Sequence, residues 1–319
     1  MAQKLDCAVT GTTGIISITF SDSHVAPTST ATITAIDTNL DIGDEVTVSF
    51  GYVGDSFLAL TGFVKNIEFK EPEREYTITC GNVLVRAIDY FIASDNPDEP
   101  FSRQNISAED LIGDLLELAG ITDYDPDPTS FTFAINNPVQ VNLTPAYDYI
   151  HFLANIIAFT IFADTDGTVK LIDRRPYPVV GDTSDYTFTV ADVLEATYEK
   201  SDVNIRNKVI VYGSAGISAI ESASSPYLPA GYYRTVVVAA PGVIDSQSMA
   251  ELSAEYNLEL LNRLTQKVNL SVVGRTEVVP RTIATVTLPG IGVTGDWYVY
   301  SVEHNWSKAG YITNLELRK

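Results

Sequence analysis

The sequence predicts a mainly β protein with α+β insertions. Three observations carry this. The first ninety residues hold five successive short apolar runs, the middle changes to helical spacing, and β patterning returns after residue 178. The opening runs are read at 14–20, 30–36, 45–50, 58–69 and 76–85. In the second, Thr32 and Thr34 alternate with Ile33 and Ala35; in the third, Val46, Val48 and Phe50 share one face. Gly, Asp, Asn or Pro bounds each run, as strand ends require.

In the middle, Ser107 is placed to cap a helix, with Asp110 three residues on. Leu111, Leu115 and Leu118 then line one face, and Gly120 ends it. A second helix is expected to begin at Thr144-Pro145, with Tyr149, Phe152, Leu153, Ile156 and Ile157 as its apolar stripe. Asp164-Thr165-Asp166-Gly167 reads as a turn between strands at 159–163 and 168–172. Residues 124–130, rich in Asp and Pro, read as a loop, and Pro176-Tyr177-Pro178 as linker-like.

Further strands are expected at 196–198, 208–212, 234–240, 268–273, 282–288, 297–303 and 311–317. The longest helix should start at Asp245 or Ser246 and run to about Lys267, burying Met249, Leu252, Tyr256, Leu260 and Leu264. An echo links the two β regions. Val46 and Val48, then 62–68, then 76–80 repeat in order as 286–288, 297–303 and 311–315. Both middle strands carry Val-x-x-Ile/Val-Glu, and each is followed by a polar turn and a Tyr-initiated strand.

Length and composition bound the function. At 319 residues the chain fits about two domains of roughly 150 residues and needs no disulfide or metal to hold its core. It has 20 basic and 41 acidic residues, a net charge of −21. That excludes gripping nucleic acid by phosphate neutralisation and adhesion to anionic lipid. Cys7 and Cys80 are too few for a disulfide scaffold or a thiolate zinc site. No signal segment is read at the start. The longest apolar stretch, 150–162, is interrupted and shorter than the ~20 residues of a membrane span, so no membrane anchor is expected. Asn-x-Ser/Thr matches at Asn105, Asn142, Asn269 and Asn305 read as chance in a protein of a reducing compartment.

The motifs tested for chemistry fail on their context. Gly290 to Gly295 spells a dinucleotide fingerprint, but strand-like sequence follows where a helix must open, so a glycine-rich hairpin loop is expected. Asp123, Asp125 and Asp127 begin a calcium loop that then places Pro128 and Ala134 where Gly and Glu are needed. His24, His151 and His304 lack partners at metal-ligand spacing. There is no nucleophile elbow and no phosphate loop. No catalytic, cofactor-binding or metal residue is assigned, and no cofactor is expected.

The order of these pieces resembles the baseplate hub proteins of tailed phages and related contractile injection machines. The likeness runs through 60–67 with 76–82, the 107–120 helix, 147–172, the 249–264 helix, and above all the closing hairpin 297–304 with 310–317. It implies two tail-tube-like antiparallel β-barrel domains, at 1–95 and 186–319, the latter carrying the long helix, around a middle helix-hairpin α/β region at 96–185. It implies a non-enzymatic homotrimer in the virion baseplate, assembled in the host cytoplasm. Three copies would present six similar domains to the tail tube protein above and a three-fold face to the central spike protein below, beside other baseplate proteins. DNA would pass through the channel without sticking, since like charge repels it. No lysozyme-like or peptidase segment is expected. The rival expectations are a distal tail or tube-initiator protein and a cell-wall polymer hydrolase.

Overall fold

The computed structural model describes residues 4–94, 100–133, 138–214 and 216–319. Six strands build a first curled sheet: β1 (Leu5–Val9), β2 (Thr12–Ser23), β3 (Thr30–Thr38), β4 (Glu45–Tyr52), β5 (Asp55–Lys70) and β6 (Glu75–Asn82). Their order is β1-β4-β5-β6-β3-β2, antiparallel throughout. Period-two alternation sends Ile18, Ile33, Ile67 and Ile78 to one face. Three of them are fully buried with Phe20, Val48, Phe50 and Leu60, and Ile67 packs against that core.

The middle is a small α/β assembly. It contains α1 (Val85–Asp89), β7 (Phe91–Ile92), β8 (Phe101–Arg103), β9 (Ile106–Ser107), α2 (Ala108–Leu118), β10 (Tyr124–Pro126), β11 (Thr132–Phe133), β12 (Val139–Val141), β13 (Thr144–Pro145), α3 (Ala146–Ile156), β14 (Thr160–Ala163) and β15 (Val169–Ile172). Ser107 caps α2 as expected, its hydroxyl accepting from the Asp110 amide at 3.2 Å. Pro145 sits at the cap of α3 rather than inside its first turn, because Thr144 and Pro145 ladder with β7. Residues 124–126, expected in a loop, pair in parallel with β15.

The second curled sheet uses β16 (Tyr186–Thr189) and β17 (Val193–Ser201). The chain then leaves for a three-stranded sheet, β18 (Lys208–Tyr212), β19 (Ser218–Ser222) and β20 (Thr235–Ala239), and for α4 (Gln247–Leu261). It returns as β21 (Thr265–Val273), β22 (Ile283–Leu288), β23 (Val293–Ser307) and β24 (Gly310–Arg318). The order is β16-β22-β23-β24-β21-β17, the order of the first sheet repeated. Every pair is antiparallel except β16 with β22, which is parallel. The core holds Phe188, Val268, Leu270, Val286, Trp297, Val299, Leu315 and Leu317.

Two findings correct the reading by chain order. The long helix and its three strands do not pack into the second β core; they join the middle helices in a third core. Nor does α4 bury the predicted stripe as a whole: Met249 and Leu264 are buried as expected, Leu264 beyond the helix end, but Tyr256 and Leu260 are only partly so. Its buried face is Met249, Ala250, Ser253 and Ala254, while Leu252 is exposed. Small side chains let the helix lie close on β18 and β19, and that close packing outweighs the burial of larger residues.

Candidate functional site

Two features of the double sheet stand out: the joint between its halves and the polar face that runs across both. At the joint, β2 ladders antiparallel to the distal half of β23, from Ser17↔Ser307 to Ser23↔Ser301. The β23–β24 hairpin thereby leaves its own unit and puts Trp306 and Tyr311 into the core of the first. The Trp306 indole N–H donates to the Gly51 carbonyl at 3.3 Å. His304 sits fully buried among Phe20, Phe50, Phe57 and Tyr311. The Tyr311 hydroxyl donates to its Nδ1 at 2.7 Å, and its Nε2 donates to the Val278 carbonyl at 3.2 Å. Burial lowers its pKa to about 4, so the ring is neutral. Farther along β2, the Arg281 guanidinium pairs with the Asp22 carboxylate; both are nearly buried.

The bulges tie the two halves together residue by residue. The β5–β6 ladder skips Lys65 between Val64 and Asn66, and the β23–β24 ladder skips Tyr300 between Val299 and Ser301. The β2–β3 ladder skips Ile16, and the β17–β21 ladder skips Leu194. Counting from these bulges, Glu68 matches Glu303, Thr77 matches Asn314, Thr34 matches Ser271, and Ser17 matches Glu195. A bulge is a specific kink in a strand, so two at matching places mark one design used twice.

The non-core face of both units carries that match outward. One row reads Glu68, Thr77, Thr34, Ser17 on the first unit and Glu303, Asn314, Ser271, Glu195 on the second. The next reads Asn66, Thr79, Thr32, Thr19 and Ser301, Glu316, Asn269, Thr197. All these positions are polar, and none is Lys or Arg. Thr19 donates to Asn305 at 3.1 Å across the joint. Glu303 accepts from Asn305 at 2.6 Å and Asn314 at 3.1 Å. Burial opposes charge on Glu316, but Lys267 and Arg318, each 2.7 Å away, hold its carboxyl below the usual range. A hollow of ≈ 730 Å³ lies over the joint, with Asp22, Glu195, Glu303 and Glu316 and no basic side chain in its wall.

The residues weighed in the sequence lie apart. Gly290 to Gly295 lies in the connection from β22 to β23, with Gly292 at φ 71. Asp123, Asp125 and Asp127 serve the β10–β15 ladder: Asp125 pairs with Lys170, Asp123 accepts from Thr168 at 3.1 Å, and Asp127 accepts from the Asp173 amide at 3.3 Å. Asp164 to Gly167 forms the turn from β14 to β15, where Asp164 accepts from the Thr165 amide at 2.7 Å. Tyr177, expected in a linker, is buried under the Arg263 guanidinium. His24 accepts from the Tyr298 hydroxyl at 2.9 Å; burial, with Arg281, Arg318 and Arg174 nearby, lowers its pKa to about 3. His151 lies on the surface of α3 and stacks on Tyr147. Cys7 and Cys80 are free thiols. Asn269 and Asn305 belong to the polar face. Ala134 lies outside the described residues. Among the described residues no three His, Cys, Asp or Glu side chains cluster as a metal site, and no helix is long and apolar enough to cross a membrane.

This architecture is that of phage tail proteins. The chain superposes over its full length on a tail protein from Neisseria meningitidis, covering 97% of it at TM-score 0.74 and 12% identity. It matches the 43 kDa tail protein of prophage MuSo2 from Shewanella oneidensis at TM-score 0.73 and 16% identity, covering 99% of this chain and 98% of that one. A type VI secretion system component from E. coli, itself structurally similar to the T4 bacteriophage tail proteins gp27 and gp5, matches at TM-score 0.60 and 9% identity, over 98% of this chain and 76% of that one. No protein-family model and no curated protein sequence matches. At these identities the shared property is the fold, and it agrees with the hub-like resemblance read from the sequence.

Proposed function

We propose that this protein is the structural hub of a phage tail baseplate. Three copies form a ring that presents six β units to the six-fold tail tube and a three-fold face to the central spike. One observation supports this above the rest: a single chain holds two units of one strand order, with matching bulges, joined side by side in one sheet. A heterologous joint closes into a ring when its rotation divides the full circle, and a threefold joint does so with three copies. In this reading 1–95 and 186–319 supply the ring domains. The middle region, 96–185, is joined by the segment inserted between β17 and β21 and braces the ring from outside. The polar, lysine-free rows line the channel, where neutral and acidic groups let DNA slide. The role is structural, in the virion, with assembly in the host cytoplasm.

The test is mass in solution together with class-averaged images. A trimer with six lobes around a hole is expected. A hexamer would move the assignment to a tube-initiator or distal tail protein. A stable monomer, even with tube and spike partners present, would overturn it. Hydrolysis of cell-wall polymer that vanishes with one Asp or Glu substitution would overturn the non-enzymatic role.

A further inference from the structure

Each β unit has one edge that gives a strand and one stretch that takes it, and the chain joins only one such pair. Inside the chain, the outer edge of β2 is given to the distal half of β23. The equivalent of β2 is β17, which ladders to β21 alone and ends the sheet. The equivalent of distal β23 is the end of β5, residues 65–70. It ladders to β6 alone, because β4 leaves β5 at Phe63. Both stretches are uncovered: Phe69 is 45% exposed, and Thr197, Glu199 and Lys200 are exposed along β17. Open strand edges are templates for pairing with another chain.

We infer that β17 of one subunit pairs antiparallel with residues 66–70 of β5 in a second copy, in the register of the internal joint. The inference rests on the ring reading and names the surfaces that close it. The matched bulges fix the register. Ser23↔Ser301 becomes Ser201↔Asn66, Ser21↔Glu303 becomes Glu199↔Glu68, and Thr19↔Asn305 becomes Thr197↔Lys70. Tyr198 then faces Phe69, where the internal joint stacks Phe20 on His304 at 6.1 Å between centroids. This gives the Phe69 ring, which within its own chain meets Tyr76 at 4.8 Å between centroids, a second aromatic partner. The joint also brings two carboxylates face to face, Glu199 and Glu68, with Lys70 one same-face step along. Like charges directly opposed weaken a ladder. The subunit contact is therefore weaker than the internal one and sensitive to salt and to substitution at these two positions.

Full-length protein carrying Glu68→Cys with Glu199→Cys, treated with a short thiol-specific cross-linker, tests the register. A ladder of covalent oligomers is expected, its largest rung having the mass of the ring. Each single variant should give none beyond the wild-type background from Cys7 and Cys80. A ring of the right mass without the ladder overturns this pairing and leaves the ring reading standing. A monomer that neither assembles nor cross-links overturns both. As an independent measurement, Glu68→Lys should strengthen association roughly two- to fivefold per joint by facing Glu199. Adding Glu199→Lys should remove the gain. No gain, or a gain that survives the second change, overturns the register.

Discussion

In the first β unit, the strand that carries Val64-x-x-Ile67-Glu68 ends in a hairpin whose outer side is open from residue 65 onward. In the second, the strand carrying Val299-x-x-Val302-Glu303 runs two residues further and is laddered on that side by β2. Sequence follows this difference in environment. Where the first unit has Phe69 and Lys70, both exposed, the second has buried His304 and half-buried Asn305, then a buried Trp306. One strand order thus carries two kinds of ending: one joined within the chain, and one that no other described strand covers.

The sharpest way to break the comparison is at the joint. Trp306→Ala should cost about 3–5 kcal/mol in denaturant unfolding, the range for deleting a buried tryptophan. Phe69→Ala in the unassembled subunit should cost far less, within about 1 kcal/mol, since nearly half the ring is already exposed. Equal losses would mean the two hairpin ends are not differently supported. Arg281→Met belongs to the same class. It strands the Asp22 carboxylate in a site where the side chain is only 13% exposed, so a loss of about 3–5 kcal/mol is expected.

His304 gives the joint a pH dependence that the first hairpin lacks. Its pKa is lowered to about 4 in the fold, against about 6.5 in an unfolded chain. Between those values the unfolded state binds the extra proton. Stability is therefore intact above about pH 6.5 and falls, by roughly 3 kcal/mol in all, as pH drops through 4. Unfolding midpoints measured at pH 7.5 and 5 should differ in the wild type more than in His304→Gln. An unchanged slope would show that this ring is not the titrating group. A smaller effect is expected at the α4 face. Ala254→Leu overfills the contact with β18 and β19 and should cost about 1–3 kcal/mol.

Much of the repeat was legible because alternation and the Val-x-x-Ile/Val-Glu echo are local signals. Residues 62–68 and 297–303 fall at matched places in matched sheets. What escaped was set by partners far along the chain. The short strands β1 and β16 carry too few residues to show a period. Tyr311 opens an expected strand and Trp306 lies just past the end of another, but nothing nearby says that they enter the other unit's core. The predicted stripe runs from Met249 through Leu252, Tyr256 and Leu260 to Leu264, because periodicity weighs size and cannot see that beside Met249 the helix buries the small Ala250, Ser253 and Ala254. The polar rows were invisible for the same reason. Alternation gives each strand a polar side, whereas rows exist only once eight strands are in register.

Those rows carry the last and smallest expected effect on the fold, and the largest on the proposed role. Thr19, Thr32 and Thr79 sit side by side on three neighbouring strands of the first unit, facing away from the core. Changing all three to Lys should cost no more than about 1 kcal/mol per site: none fills a core position, but the Thr19 bond to Asn305 is lost and like charges come to lie directly opposite. In the ring it would add nine positive charges to the channel wall if three copies assemble. Duplex DNA that slides past hydroxyls would then meet cations, and the attraction would weaken steeply as salt rises. Virions carrying the triple variant should assemble normally yet lose infectivity at low ionic strength and recover part of it at high. The matching change to Glu should have little effect on either. Full infectivity of the lysine variant at low salt would place this face away from the genome's path, and the acidic rows would then be solvent-facing outside the ring.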